Sequence, residues 1–325
     1  MRVFSGIQPT GKIHIGNYLG ALRQWVDLQE KAECIFCIVD LHAITAPYDP
    51  KEMQKLILEK VISYLAAGID PAKSIIFVQS EVKEHTELCW LLNSVTPAGD
   101  LFRMTQYKEK SKKFKQNVNA GLLNYPILMA ADILLYKTDT VPVGKDQKQH
   151  VELAQTIAAK FNQRYGETFV VPEPQIPKIG SKIMSLQDPS KKMSKSDSPE
   201  TYICLFDEPD EIKAKIMRAV TDLSREIVYS AGSKPGISNL LSIYSLFSGS
   251  EIKEIEKEFK GKGYAEFKKS LAGLIIEKLE PFRRKKKELE SREVYVREIL
   301  SQGAKRARII AQSTMQDVRK KMGLV

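Results

Sequence analysis

Arg2-Val3-Phe4-Ser5-Gly6-Ile7-Gln8-Pro9-Thr10-Gly11 runs from an apolar strand into a Gly/Pro-rich turn, and His14-Ile15-Gly16-Asn17 then opens a helix. The same alternation continues outward from this stretch. Cys34–Val39 is a continuous apolar run of the kind found in buried parallel strands. A loop carrying His42 follows, then a helix expected from about Pro50 to Ala67, with Asp49 as capping carboxylate and Pro50 at its first position. Gly68 ends that helix, and Ser74–Val78 reads as a third strand. This β-α-β-α-β order, with connections long enough for crossovers, predicts an α/β fold with a doubly wound parallel sheet. Ligands of such sheets lie beyond the carboxyl ends of the strands, where the strand order reverses.

Further along, Arg103–Lys110 is basic and polar and reads as a loop. Tyr125–Leu135 reads as an apolar helix interrupted by one acid, Asp132. Thr140–Val143 is a short strand running into Gly144-Lys145-Asp146-Gln147, and a long helix extends to about Tyr165. Residues 170–200 are rich in Pro, Lys and Ser, the composition of a loop that orders on binding. From about Glu211 the chain reads as all helix, which places a domain boundary near residues 187–200.

Composition narrows the function classes. No stretch of the 325 residues reaches the ~20 consecutive apolar positions of a membrane helix. The N-terminus reads as strand and turn rather than leader, so a cytoplasmic protein without membrane attachment is expected. Cys34 and Cys37 sit three apart on one strand, so their side chains point to opposite faces and cannot share an ion. The net charge of +10 is uneven: residues 281–325 hold 13 Lys/Arg against 5 Asp/Glu. That basic end, including Arg283-Arg284-Lys285-Lys286-Lys287, suits either a polyanionic partner or a solvated helix face.

The chemistry-bearing stretches are two. The first turn offers exposed N–H groups at a helix start, a favourable place for phosphate, although it is neither a G-x-x-x-x-G-K-[ST] loop nor G-x-G-x-x-G. Lys192-Met193-Ser194-Lys195-Ser196 follows a strand-like Ile183-Met184-Ser185-Leu186 and brings two ammonium groups to a loop that could close over a nucleotide. Lysines that engage as pyrophosphate separates would favour the transition state over the ground state. Asp132 is a third candidate. A carboxylate in an apolar helix needs a partner, either a nearby base or a donor on a ligand.

Taken together, Phe4–Gly11, His14-Ile15-Gly16-Asn17-Tyr18, Ala130-Ala131-Asp132-Ile133-Leu134, Val141-Pro142-Val143-Gly144, Asp146-Gln147-Lys148-Gln149-His150 and Lys234-Pro235-Gly236-Ile237-Ser238-Asn239-Leu240-Leu241 resemble, in this order and along essentially the whole chain, the bacterial tryptophanyl family of class I aminoacyl-tRNA synthetases. The resemblance implies a Rossmann-like catalytic domain, residues 1–190, and an all-helical anticodon-binding domain, residues 191–325, with room for the terminal helices to return to the catalytic part. It implies a two-step reaction in which L-tryptophan and Mg-ATP form tryptophanyl-adenylate and the acyl group passes to tRNA(Trp). ATP is a substrate, Mg2+ arrives with it, and a homodimer bridged by tRNA is expected.

By the same resemblance, Gln8, Pro9, Thr10, Gly16, Asn17, Gly144, Lys145, Asp146, Ile183, Lys192, Met193, Ser194, Lys195 and Ser196 are expected at ATP, with Lys110 reaching its phosphates. Lys192, Lys195 and Gln8 are expected to act in catalysis. Phe4, Gly6, His42, Met129, Asp132, Val141, Val143 and Gln147 are expected around tryptophan. His85 lies outside the matched blocks and reads as structural or exposed. Lys145 stands where many relatives carry Glu, and Leu41 where Gln is common. No protein-held metal is expected, and Cys204 alone cannot form the iron–sulfur centre of some relatives. A tyrosyl relative, a small-molecule nucleotidyltransferase and a non-catalytic RNA-binding paralogue stay open. The retained Lys192 and Lys195 argue against the last, and the helical domain and basic end against the second.

Overall fold

The computed structural model describes residues 1–113, 118–176, 183–195, 197–224 and 226–325; Ser196, expected at the nucleotide, lies outside the described residues. The chain divides into two compact units: a sheet unit of residues 1–10, 25–178 and 292–325, and a helical unit of residues 11–24 and 179–291. This partition is not a linear cut near residue 190, because the first helix start belongs with the helical unit and the last helix with the sheet unit.

The sheet unit is Rossmann-like. Its strands are β1 (Arg2–Ile7), β2 (Glu33–Ile38), β3 (Ser74–Val78), β4 (Thr140–Pro142) and β5 (Glu173–Gln175), all parallel in the order β3-β2-β1-β4-β5. The order reverses between β1 and β4, so the carboxyl ends of these two strands flank the switch point. Every residue of β3 is buried, as is every residue of β2 after Glu33, as expected for strands covered on both faces. Cys34, Cys37, Cys89 and Cys204 are all free and buried.

Several local expectations change. Residues after β2 form a short helix, Asp40–Ala43, so His42 is helical rather than in a loop. The next helix runs Met53–Ala66 and starts later than expected; Asp49 instead accepts from Lys51 N–H and closes a turn. Gly68 follows that helix at φ +110°. The basic stretch read as a loop is built from the helices Ala98–Arg103 and Thr105–Lys113. Straight-chain Gln, Lys and Glu suit a helix even without an apolar stripe. β5 was not foreseen, since Glu173-Pro174-Gln175 carries no apolar pattern.

The final helix, Glu293–Lys321, packs on β3. Its buried face has small residues at its middle, Gly303, Ala304, Ala307 and Ala311, between Val296 and Leu300 on one side and Met315 and Val318 on the other. A Cβ at Gly303 would lie 1.8 Å from the Ile76 carbonyl oxygen, so only glycine lets helix and strand come this close. Arg306 donates to the carbonyls of Pro71 and Ser74, Arg308 to that of Glu81, and Arg319 pairs with both carboxylate oxygens of Glu87 at 2.6 Å. Part of the basic C-terminal charge therefore serves to seat this helix.

The helical unit has its own core, in which Pro209–Arg218 packs on Tyr264–Glu290 through Ile212, Ile216, Phe267 and Leu271. The buried Lys268 ammonium donates to the carbonyls of Met217 and Ala219, satisfying groups that a helix end leaves orphaned.

Candidate active site

In the sheet unit the helix Ala120–Leu134 carries Asp132, which is 1% exposed. Its Oδ2 accepts from His42 Nε2 at 2.8 Å, and its Oδ1 accepts from His85 Nδ1 at 2.6 Å and Gln79 Nε2 at 2.7 Å. Burial works to raise this carboxyl, but the hydrogen bonds from His42 and His85 outweigh it and hold the group well below the usual carboxylate range. Asp132 is thus a buried anion with partners on three elements. Burial alone no longer argues for a ligand here, because nearby bases satisfy it. A carboxylate offers about four acceptor positions; three are taken, and the position left is on Oδ2.

In the same unit, β1 carries Phe4 and Gly6, and β4 with its exit carries Val141 and Val143. Phe4 and Val141 lie in the core, with Met129 and Val143 packed against it. Gln147 Nε2 donates to Asp146 Oδ2 at 2.9 Å on the short turn after β4. Lys145 and Asp146 are exposed beside Gly144. Past the end of β1, Gln8 is exposed and Pro9 buried, with Thr10 half-buried.

Lys110 Nζ lies 4.3 Å from the centroid of the Tyr125 ring, and burial pushes its ammonium below its ordinary value. The Tyr125 hydroxyl meets His150 Nε2 at 3.0 Å. Burial, with the Lys110 and His42 charges, lowers His150 to about 4 and leaves its ring neutral at pH 7.

In the helical unit, His14 caps the helix start at Ile15–Asn17: its Nδ1 accepts from Asn17 N–H at 3.2 Å, while its own N–H donates to Asn17 Oδ1 at 3.3 Å. Residues Tyr18–Leu22 continue as a π-helical turn. This start is strapped by Ile15 N–H to the Ile203 carbonyl and Leu205 N–H to the Ile13 carbonyl, at 2.9 and 2.8 Å. Tyr18 packs edge-on against Phe282 and Arg23 donates to the Leu246 carbonyl, which ties residues 11–24 to the helices of this unit.

Ile183–Met193 folds back on itself, with Met193 N–H bonded to the Ile183 carbonyl and Ser185 N–H to the Lys191 carbonyl. Asn239 clamps this turn through both ends of its amide, donating to the Met184 carbonyl and accepting from Met184 N–H, each at 2.9 Å. The first turn and the lysine stretch meet at Gly11, where φ is +79° and a Cβ would lie 2.5 Å from Lys195 Cδ. Burial, then the charges of Lys192 and Lys195, lowers His14 to about 4.

The structure therefore brings His42 onto Asp132 and Lys195 onto Gly11. It also adds residues not singled out in the sequence. His85, expected to be structural or exposed, is fully buried on Asp132, with Gln79 beside it and Tyr136 behind. Asn239 lies in a matched block but had no assigned task.

The model for tRNA synthetases class I (W and Y) matches residues 1–280. The tryptophan–tRNA ligase of Caldanaerobacter subterraneus is 55% identical over 325 residues, covering 100% of this chain and 98% of that one. The enzyme of that name from Wolinella succinogenes is 52% identical over 100% and 99%. The chain belongs to the class I tRNA synthetases of the tryptophan and tyrosine family. Among solved synthetases, tryptophanyl-tRNA synthetase from Campylobacter jejuni, complexed with ADP and tryptophan, aligns with a TM-score of 0.88 at 40% identity over 99% of this chain and 100% of that one. The Mycoplasma pneumoniae synthetase aligns at 0.87 and 33% identity, over 100% and 98%. Tyrosyl-tRNA synthetase from Archaeoglobus fulgidus shares the synthetase fold, with a TM-score of 0.67 at 20% identity.

Proposed function

We infer that this chain is a tryptophan–tRNA ligase (EC 6.1.1.2), and the observation that carries the reading is 55% identity along its whole length with an enzyme of that name. A carboxylate oxygen of L-tryptophan attacks the α-phosphorus of ATP. The new O–P bond forms as the bond to the bridging oxygen breaks, giving tryptophanyl-adenylate and pyrophosphate. A terminal ribose hydroxyl of tRNA(Trp) then attacks the acyl carbon, and AMP leaves with the electrons of the mixed anhydride. No enzyme nucleophile is required.

In the sheet unit, Asp132 takes the indole N–H on its remaining acceptor position, a match of a donor-only group to an acceptor-only one. Phe4, Gly6, His42, Met129, Val141, Val143 and Gln147 complete the tryptophan site, and Gln8, Pro9, Thr10, Lys110, Gly144, Lys145 and Asp146 are assigned to ATP. In the helical unit, Gly16, Asn17, Ile183 and the Lys192–Ser196 stretch are assigned to ATP. Lys192 and Lys195 meet charge that develops as pyrophosphate leaves, which is where positioned cations lower a phosphoryl-transfer barrier. Mg2+ comes with the nucleotide and neutralises charge on its phosphates.

The helical unit is assigned to the tRNA anticodon, supported by the basic Arg283–Lys287 run on its longest helix. A homodimer is assigned, supported by two large apolar side chains of the sheet unit that stand exposed, Trp90 at 76% and Phe102 at 52%. Reaction in the cytoplasm suits four free, buried thiols. Among the described residues no helix is long and apolar enough to cross a membrane.

ATP–pyrophosphate exchange against all twenty amino acids tests the reading. Strong exchange with tryptophan and weak exchange with tyrosine or phenylalanine is expected; comparable turnover with tyrosine overturns it. Sites built around a donor reject analogues lacking it by about 10⁴–10⁵.

A further inference from the structure

Behind Asp132 lies a second layer that the reaction does not call on directly. His85 is fully buried between two partners: Nδ1 faces Asp132 Oδ1 at 2.6 Å, and Nε2 faces the Tyr136 hydroxyl at 2.8 Å. An ionised carboxylate only accepts, so Nδ1 must carry the proton. With Nδ1 holding the proton toward the carboxylate, an unprotonated Nε2 is the acceptor that the Tyr136 O–H meets. Burial, with the charges around it, pushes the Tyr136 phenol well above its ordinary value, so this donor persists at any working pH.

Tyr136 is itself fixed. It stacks on Phe4 with centroids 5.6 Å apart and rings 10° from parallel, and Phe77 contacts both Tyr136 and His85. Gln79 Nε2 takes the other position on Oδ1. Oδ1 is thereby filled from behind, and the free acceptor position falls on Oδ2, the oxygen shared with His42.

We propose that His85 and Tyr136 are positioning residues for amino-acid recognition: the chain from Tyr136 O–H to His85 Nε2, and from His85 Nδ1–H to Asp132, sets the imidazole tautomer and thereby the orientation of the carboxylate whose Oδ2 receives the indole N–H. The proposal rests on the assignment of Asp132 to tryptophan. It departs from a mere core-filling role in one respect. A core-filling histidine affects stability and both substrates alike, whereas a positioning histidine affects tryptophan selectively.

The test is ATP–pyrophosphate exchange on the full-length enzyme, with KM determined separately for tryptophan and ATP in four variants. Asn places an amide N–H where Nδ1–H stood, and Gln places it near Nε2. His85→Gln is expected to raise KM for tryptophan about 10- to 100-fold, the effect of one lost hydrogen bond to a charged group, with KM for ATP within about twofold of wild type. His85→Asn, which keeps the bond to Asp132, is expected to stay within about fivefold for tryptophan. Tyr136→Phe, which removes a single oxygen and preserves the stack on Phe4, is expected to fall between them.

Equal effects of Asn and Gln at position 85, or parallel losses for tryptophan and ATP, overturn the proposal. So does an unchanged KM for tryptophan in Tyr136→Phe, and this milder variant decides the matter should His85→Gln fail to fold. Asp132→Asn separates the two levels of the argument. If it leaves KM for tryptophan unchanged, the assignment of Asp132 itself fails. If it raises that KM while the His85 and Tyr136 variants do not, only the relay fails.

Discussion

Asp132 in the sheet unit is 1% exposed and held by side chains from separate elements, whereas Lys192 and Lys195 in the helical unit stand exposed on a turn held mostly by backbone hydrogen bonds and one asparagine clamp. The first arrangement is costly to disturb, because removing the carboxylate strands three donors in a dry interior. The second places charge where a phosphate can reach it, although burial pushes the Lys195 ammonium below its ordinary value. Recognition of an aromatic side chain with a single N–H donor rewards a rigid, pre-oriented acceptor. Stabilisation of charge that appears only as pyrophosphate departs rewards cations that a phosphate can reach.

The sharpest way to break this contrast is to remove the ammonium groups. Lys192→Ala and Lys195→Ala are each expected to slow adenylate formation by about 10²–10³ in single-turnover measurements, with little change in tryptophan affinity. Unchanged rates in both variants would remove the loop from the chemistry. Asp132→Ala should show the opposite signature. Tryptophan use weakens by about 1.5–3 kcal/mol while the KM for ATP holds. Collapse of ATP affinity with tryptophan affinity intact contradicts the pocket assignment.

The third expectation concerns pH and the helical unit. His14 has a folded pKa of about 4 against 6.5 for the unfolded chain. Above pH 6.5 both states are neutral and the group contributes nothing. As the pH falls from 6.5 toward 4 the unfolded chain takes the proton more readily, so stability drops, by about 2 kcal/mol at pH 5. His14→Asn keeps an acceptor for Asn17 N–H but cannot titrate, and denaturant melts at pH 7 and 5 should show a smaller loss in this variant. Equal losses in variant and wild type would show that His14 is not the group responsible.

The smallest effect is expected in the basic run, which the structure sharpens. Arg283 is engaged with Glu280 and the carbonyls of Ile276 and Asp207, Lys285 pairs with Glu288, and Lys286 with Glu290. Arg284 and Lys287 are exposed and are the better candidates for tRNA phosphates. Changing both to Gln should lower the log–log salt slope of tRNA binding by about 0.7–0.9 per lost contact and leave pyrophosphate exchange unaltered. An unchanged slope returns them to a solvated helix face.

Some features were legible because they are local. Ile75–Val78 is a continuous β-branched and aromatic run, and the structure places the strand at Ser74–Val78, as expected. Gly68 marked a helix end because its φ is positive. Other features had no local signal. β5 is three residues of Glu, Pro and Gln, and the helix through Gln106 and Lys108 has no apolar stripe to announce it.

The sequence by itself determined the parallel α/β architecture and the family, since hydrophobic period, turn residues and motif spacing are properties of neighbours along the chain. Only the tertiary structure decided what Asp132 is bonded to. His42 and His85 lie 90 and 47 residues away, and a single histidine carries no local mark of so distant a partner. It also decided where the last helix goes. Its small-residue face of Gly303, Ala304 and Ala307 fits whatever backbone can approach most closely, and that proved to be β3, through a contact with Ile76 that no local pattern encodes.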